Sequence, residues 1–293
     1  MDIRVLRYYL AICQEGTMSR AAEVLHVTQP TLSRQIADLE RELGCTLLER
    51  GSRHVTLTQK GLYLRRRAEE IVSLADQTAA DLRADDDIIE GDIGIGAGES
   101  EGIRILAAQI NAFRKRYPRV RFHIHSGNAG DVIERLERGL DDFAVLMSYA
   151  DIDRFEHLRL PPTDAWGLLM PEGDPLAAKE HISPADLDGL PLIVSEQADR
   201  HNTLSTWFGR HGRTLDIVAT YNLSYNAAML VREGVGYVLG FDRLITTGQG
   251  TGLEFRLLYP PVISVIDVAW KRDVPLTPAA QRFMEDLTAS FSA

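Results

Sequence analysis

Residues Gly98-Glu99-Ser100-Glu101-Gly102 match G-x-S-x-G, the spacing at which a serine hydrolase lifts its nucleophile onto a turn between strand and helix. That chemistry also needs an oxyanion-forming loop upstream and a later acid and histidine. No His-Gly-Gly stretch precedes Ser100, and His201 and His211 fall on a predicted helix and its end. Phosphate chemistry is no better served: Gly94, Gly96 and Gly98 keep strand alternation, and neither G-x-x-x-x-G-K-[ST] nor G-x-G-x-x-G is present there. What these residues can do is bind. A hydroxyl and free backbone N–H groups at a strand's C-terminal end, opening a helix from Ile103, suit a carboxylate or another polar acceptor. Comparable strand ends at Gly127-Asn128, Met147-Ser148 and Asn222-Leu223-Ser224 would converge on the same crevice. The candidate ligand set is therefore Ser100, Glu101, Gly127, Asn128, Ser148, Asn222 and Leu223. His123-x-His125 puts two imidazoles on one face of a strand and could bind a metal. With no carboxylate or Cys beside them, a solvent-facing strand is expected instead, and neither metal nor cofactor.

Such a crevice needs an α/β frame. Strand-like runs at 91–97, 120–125, 143–147, 166–170, 192–195, 217–221, 237–240 and 262–270 alternate with helical patterns at 103–117, 131–138, 203–211, 225–233 and 277–291. Alternation of this kind means α/β layers with mostly parallel strands. Pro161-Pro162 punctuates the middle, which divides the region into subdomains 88–161 with 267–293, and 162–266. Trp166, Trp207 and Trp270 read as packing.

The first sixty residues carry a different chemistry. Apolar residues Ile3, Leu6, Leu10 and Cys13 give a helix that Gly16 ends, and a second helix buries Ala21, Ala22 and Leu25. In TQPTLSRQIADLERELG, Thr28 is a natural N-cap, Pro30 lies in the first turn and Gly44 stops the helix. Leu32, Ile36, Leu39 and Leu43 form one inward stripe, leaving Pro30, Arg34, Ala37 and Arg41 outward. Two short helices joined by a brief turn describe a helix-turn-helix whose second helix offers Gln, Thr, Ser and Arg to a major groove. Gln suits adenine, Arg suits guanine or phosphate, and a Thr methyl suits thymine. After Gly44, two β-prone runs flank Gly51-Ser52-Arg53, a wing with Arg50, Arg53 and His54 near its tip. Charge agrees: residues 1–67 hold 11 Lys/Arg against 7 Asp/Glu, net +4, whereas 68–293 hold 21 against 35, net −14.

At these residues the chain resembles the LysR-type transcriptional regulators, densely through SRAAEVLHVTQPTLSRQIADLERELGCTLLER and LTQKG. Leu48 and Thr17 stand where the family usually has Phe and Ser. The likeness extends through RKRYPRVRFHIHSGN, GLDDFAV, LDGLPLIVS, LVREGVGYVLGFDRL and LTPAAQRFMEDL, essentially the whole chain. It implies an all-α winged helix-turn-helix N-terminal domain plus a long linker helix, followed by an α/β two-subdomain effector domain resembling type II periplasmic solute-binding proteins. The expected boundaries are 1–58, 59–87 and 88–293. Gln29, Pro30, Thr31, Ser33 and Arg34 would meet double-stranded operator DNA from the recognition helix, and Arg53 from the wing, with Thr17 and Arg50 completing the set. The resemblance also implies a homodimer assembling to a homotetramer, and contact with RNA polymerase. The rival reading is a serine hydrolase or solute-binding module with an appended DNA-binding head.

Between the two regions Gly61, Leu64, Ala68, Ile71, Ala75, Thr78 and Leu82 alternate spacings of three and four, a heptad seam on a helix about 40 Å long that asks for a partner. Leu64, Ala68, Ile71, Ala75 and Leu82 are the candidate dimerisation residues, and Asp85-Asp86-Asp87 reads as a hinge. Only Cys13 and Cys45 are present, which argues against a disulfide framework or zinc site. With no 18-residue apolar run, and with charges inside MDIRVLRYYL, no membrane is involved and the cytoplasm is expected. A free amino acid, an aromatic acid and an aliphatic acid fit the crevice equally well.

Overall fold

The computed structural model describes residues 1–50, 54–81, 89–148, 151–196, 207 and 215–291. The chain divides into two compact units, Met1–Asp85 and Asp86–Ala293.

In the first unit, helices α1 (Ile3–Glu15), α2 (Met18–Val24) and α3 (Gln29–Leu43) precede a two-stranded wing, β1 (Leu48–Arg50) antiparallel to β2 (Val55–Leu57), and helix α4 (Gln59–Asp81). Leu6, Tyr9, Ile12, Leu32, Ile36 and Leu47 fill the core. Leu43, expected on the inward stripe, is 40% exposed, because the last turn of α3 runs past the core it packs on. The seam of α4 also needs correction. Leu64 and Ala68, expected at a dimer interface, are buried in this same core and so are not available to a partner. Gly61 belongs there too: its carbonyl accepts from the Tyr9 hydroxyl at 2.8 Å, and a Cβ would lie 2.2 Å from the Leu47 oxygen. Arg7 of α1 pairs with Asp76 further along α4. Leu62 and Tyr63 are exposed on the far side of α4 from that core, and beyond it Ile71 and Leu74 are exposed as well. Ala75 is half-buried, and Leu82 and the Asp85–Asp87 run lie outside the described residues.

The second unit contains β3 (Gly91–Ala97), α5 (Gly102–Arg116), β4 (Val120–Ser126), α6 (Ala129–Glu137), β5 (Phe143–Met147), β6 (Glu156–Pro171), β7 (Pro191–Ser195), β8 (Asp216–Tyr221), α7 (Ser224–Arg232), β9 (Tyr237–Phe241), β10 (Leu253–Leu257), β11 (Ile263–Trp270) and α8 (Pro278–Ala289). The strand order is β4-β3-β5-β11-β6-β9-β7-β8, with β10 added on β6. Parallel triplets β4-β3-β5 and β8-β7-β9 are joined through β11 and β6, which run antiparallel to each other and to their neighbours. "Mostly parallel" thus holds within each triplet and fails at the join.

Pro161-Pro162 does not interrupt the chain as expected; β6 runs through it. The β6–β11 register shifts between Val265 and Asp267, opposite that stretch, so prolines without N–H groups sit where the ladder is already irregular. Residues 156–165 and 253–257 were not expected as strands. Trp166 packs in the second subdomain's core, its indole N–H donating to Ser264 Oγ at 3.1 Å, and Trp207 donates to the Pro260 carbonyl at 2.9 Å. The rest of the 203–211 helical pattern lies outside the described residues. Among the described residues no helix is long and apolar enough to cross a membrane.

Candidate functional site

Two surfaces take shape, one in each unit. In the first, Thr28 Oγ1 accepts from the Thr31 N–H at 3.4 Å, a cap that contributes about 1 kcal/mol and sets where α3 begins. Gln29, Pro30, Thr31 and Arg34 are exposed in its first turns and Ser33 is half-buried. Thr17 caps α2 through the Arg20 N–H at 3.3 Å. Arg50 closes β1, its side chain outside the description, and Arg53 lies outside the described residues.

The second surface lies where the two halves of the large sheet meet. Glu99 and Glu101 flank Ser100 on the β3–α5 loop, on the first-subdomain side. Across from them stand Asp164 on β6, the start of α7, and Asp242-Arg243 after β9. The Glu99 carboxylate accepts from the Ser224 N–H at the N-terminus of α7 at 2.5 Å, 125 residues away in sequence. The Glu101 N–H donates to Asp164 Oδ1 at 3.1 Å, and Arg243 approaches Glu101 at 3.9 Å while pairing with Asp242 at 2.8 Å. Next to Ser224 a cavity of about 20 Å³, room for roughly one water, is lined by Tyr221, Phe241, Phe255 and Arg243 among others.

Of the residues expected to hold a ligand, Ser100 is 1% exposed and its Oγ accepts from the Gly102 N–H at 3.0 Å. Asn128 caps α6 by accepting from the Asp131 N–H at 3.1 Å. The Gly127 N–H donates to the Ala97 carbonyl, and Ser148 Oγ accepts from the Val265 N–H at 3.1 Å. Leu223 is the half-buried N-cap of α7, following exposed Asn222. The structure brings Glu101 to the join and uses the acceptors of Ser100, Asn128 and Ser148 inside the chain. Glu99, Asp164, Asp242 and Arg243 were missed. Glu99 lay inside the motif that was read for its serine, and Asp164 is the lone acid between Pro161-Pro162 and an apolar run. His123 does have a carboxylate beside it, Asp92 Oδ1 at 3.0 Å on the neighbouring strand, contrary to expectation; that Asp92 also pairs with Arg121.

Burial pushes the Asp164 carboxyl up to about 6; its bond from the Glu101 N–H opposes this, and Asp242 adds to it. An acid raised in the folded state stabilises that state at low pH, and this contribution is lost as pH climbs from about 4 through about 6. Full-length protein is thus expected to lose up to ~3 kcal/mol of second-unit stability from this group across that window. The wild-type-minus-Asp164→Asn difference in denaturant unfolding free energy should therefore fall as pH rises across that window, since the variant lacks the titrating carboxyl; a difference that stays flat there would contradict the assignment.

Together these features define a winged helix-turn-helix DNA-binding protein joined to a two-part ligand-binding domain. Residues 3–62 match the family model "Bacterial regulatory helix-turn-helix protein, lysR family", and residues 88–292 match "LysR substrate binding domain". The Hca operon transcriptional activator HcaR of Escherichia coli K12 is 30% identical over 292 residues, 97% of this chain and 96% of that one. The crystal structure of HinK, a LysR family transcriptional regulator from Pseudomonas aeruginosa, is 26% identical with a TM-score of 0.59, covering 98% of each chain. CbnR, 21% identical over 99% of each chain, shares the fold at a TM-score of 0.76. The chain belongs to the LysR family: it is a transcriptional regulator with a helix-turn-helix DNA-binding domain and an effector-binding domain. A hydrolase with an appended DNA-binding head finds no support among these relatives.

Proposed function

We propose that a small-molecule effector binds between the two subdomains, shifts their closure, and thereby changes how paired winged heads sit on operator DNA. Gln29, Pro30, Thr31, Ser33 and Arg34 contact the operator from α3, with Thr17, Arg50 and Arg53 beside them. Residues 1–58 form the DNA-binding domain, 59–87 the linker, and 88–161 with 267–293, and 162–266, the effector subdomains. The observation that carries this reading is the set of polar bridges across the join: Glu99 to Ser224, Glu101 to Asp164 and Arg243 to Glu101. These groups belong to elements that part if the subdomains rotate about β6 and β11, so a ligand preferring one spacing shifts the population. No covalent step is required, and the setting is the cytoplasm.

The assembly is a homodimer pairing into a homotetramer that touches RNA polymerase, with Ile71 and the distal part of α4 at the dimer seam. Ile71 is 37% exposed and Leu74 43%, an unpartnered apolar stretch in the protomer. Ile71→Asp should raise the monomer–dimer midpoint by roughly tenfold or more, because a charge would be desolvated in each copy. Sedimentation equilibrium reads this directly, and a wild-type midpoint in the variant would remove Ile71 from the interface.

The test of the whole reading is a thermal-shift screen of the full chain against a metabolite library. A ligand at a hundred times its Kd adds about 2.7 kcal/mol, and any hit must also change the footprint on operator DNA selected from genomic fragments. A library without a single stabilising compound, or hits that leave the footprint unchanged, would overturn effector control.

A further inference from the structure

The polar groups around the join are unevenly used. The helix N-termini there, where an anion would ordinarily be caught, already have acceptors from the chain itself. In α5 the Glu101 and Gly102 N–H groups go to Asp164 Oδ1 and Ser100 Oγ. In α6 the Asp131 N–H goes to Asn128, and in α7 the Ser224 N–H goes to Glu99. Ser148 Oγ takes the Val265 N–H. What lacks a partner is an acceptor. Asp164 is 0% exposed, and its Oδ2 is fully buried with no hydrogen-bond partner. Around it the charges are lopsided: Glu101 and Asp242, with Glu99 on the same loop as Glu101, face Arg243, while Arg104 reaches only Glu101, at 3.7 Å and 82% exposed. A buried carboxylate oxygen without a donor is costly until a donor arrives.

We propose that the effector of this cleft is a small organic cation bearing N–H donors, an amine or guanidine, whose head seats on Asp164 between Glu101 and Asp242. The proposal rests on the cleft being the effector site. Arg243, exposed and shared between Asp242 and Glu101, is the built-in cation whose place the head takes. Among the described residues no group of three or more His, Cys, Asp or Glu side chains is arranged to hold a metal ion, which favours an N–H donor over a bare cation. Because Asp164 has no exposed surface, entry requires the subdomains to part along β6 and β11. The Asp164 carboxyl, held up to about 6 by burial, with the Glu101 N–H and Arg243 opposing and Asp242 and Glu101 adding to the rise, must be ionised to receive the cation. Ser264, opposite Asp164 on β11, and Trp166, which donates to Ser264, carry no charge. Binding should therefore weaken between pH 7.5 and pH 5.5, where the amine stays protonated.

The test is titration calorimetry on the full chain with n-butylamine, 1,4-diaminobutane and agmatine against butyrate, glutarate and benzoate. The cations are expected to bind. Asp164→Asn should weaken them by at least about tenfold, Glu101→Gln should weaken them less, and pH 5.5 should weaken the wild type and Glu101→Gln, which keep Asp164, but not Asp164→Asn. Carboxylate binding without cation binding overturns the proposal, as does unchanged cation affinity in Asp164→Asn with a native circular dichroism spectrum. If that variant does not fold, Glu101→Gln and the pH dependence decide. Binding by neither series also overturns it. Effector control itself survives these failures as long as the wider metabolite screen yields a ligand that moves the footprint.

Discussion

Replacing Arg135 by alanine should destabilise the effector-binding unit by about 3 to 5 kcal/mol. The guanidinium grips Asp141 with two bonds, Nε to Oδ2 at 2.7 Å and the second terminal nitrogen to Oδ1 at 2.9 Å, and the Asp141 side chain is only 1% exposed. Removing the arginine leaves a buried carboxylate with its principal partner gone, which costs far more than an exposed ion pair is worth. The surrounding backbone is shaped around this pair. A Cβ on Gly94 would lie 3.0 Å from Asp141 Cα, and one on Gly96 would lie 3.0 Å from Asp141 Oδ2. The alternating glycines of β3 make room for Asp141 and α6, and the adjacent Asp142 ties the same strand by accepting the Gly94 N–H at 2.8 Å. The double variant Arg135→Ala with Asp141→Ala should recover part of the loss in urea unfolding, because no charge is then stranded. A double variant no more stable than Arg135→Ala would mean that the arginine acts through packing alone.

Arg34→Ala is expected to cost about 1 to 3 kcal/mol of operator binding if the side chain reads a base. Arg34 is exposed, within two turns of the Thr28 cap on α3. Unfolding of the protein should therefore be unaffected. Measured on a selected operator and on each single-base variant of it, a base-reading arginine relaxes preference at one position, whereas a phosphate contact weakens all sequences alike and lowers the salt slope. Wild-type affinity in the variant would remove Arg34 from the interface.

The DNA-binding head was legible because its signals are local: Thr17, Thr28, Gly16 and Gly44 mark helix ends within a few residues of what they bond. The seam of α4 was legible as a stripe but not as an interface. A spacing of three and four says that Leu64 and Ala68 need apolar company, and α1 supplies it within the protomer. In the larger unit, strand positions followed from alternation, while Pro161-Pro162 misled because a proline's missing donor is tolerated where the facing ladder is already shifted. The join was least legible. Glu99 meets Ser224 across 125 residues, and the burial of Asp164 comes from strands and loops far apart in sequence, so nothing near either residue announces the partner.

The interleaving of the two subdomains through β11 also bears on biosynthesis. Residues 1–81 can collapse as soon as they leave the ribosome, and the second subdomain's core draws on residues 166–258 with the few that follow. The first subdomain has Ile93, Phe113 and Phe143 translated before the second subdomain, yet it lacks Ile266, Val268 and Phe283 until the second subdomain has been made, with the β5 edge open where β11 will lie. While the second subdomain is being made, the nascent chain therefore carries a finished DNA-binding domain beside an unfinished, adhesive sheet. A chain ending shortly before residue 263 would join a folded DNA-binding domain to a sensor unable to close, which gives proteolytic quality control a reason to act on it sooner than on one whose domains mature in order.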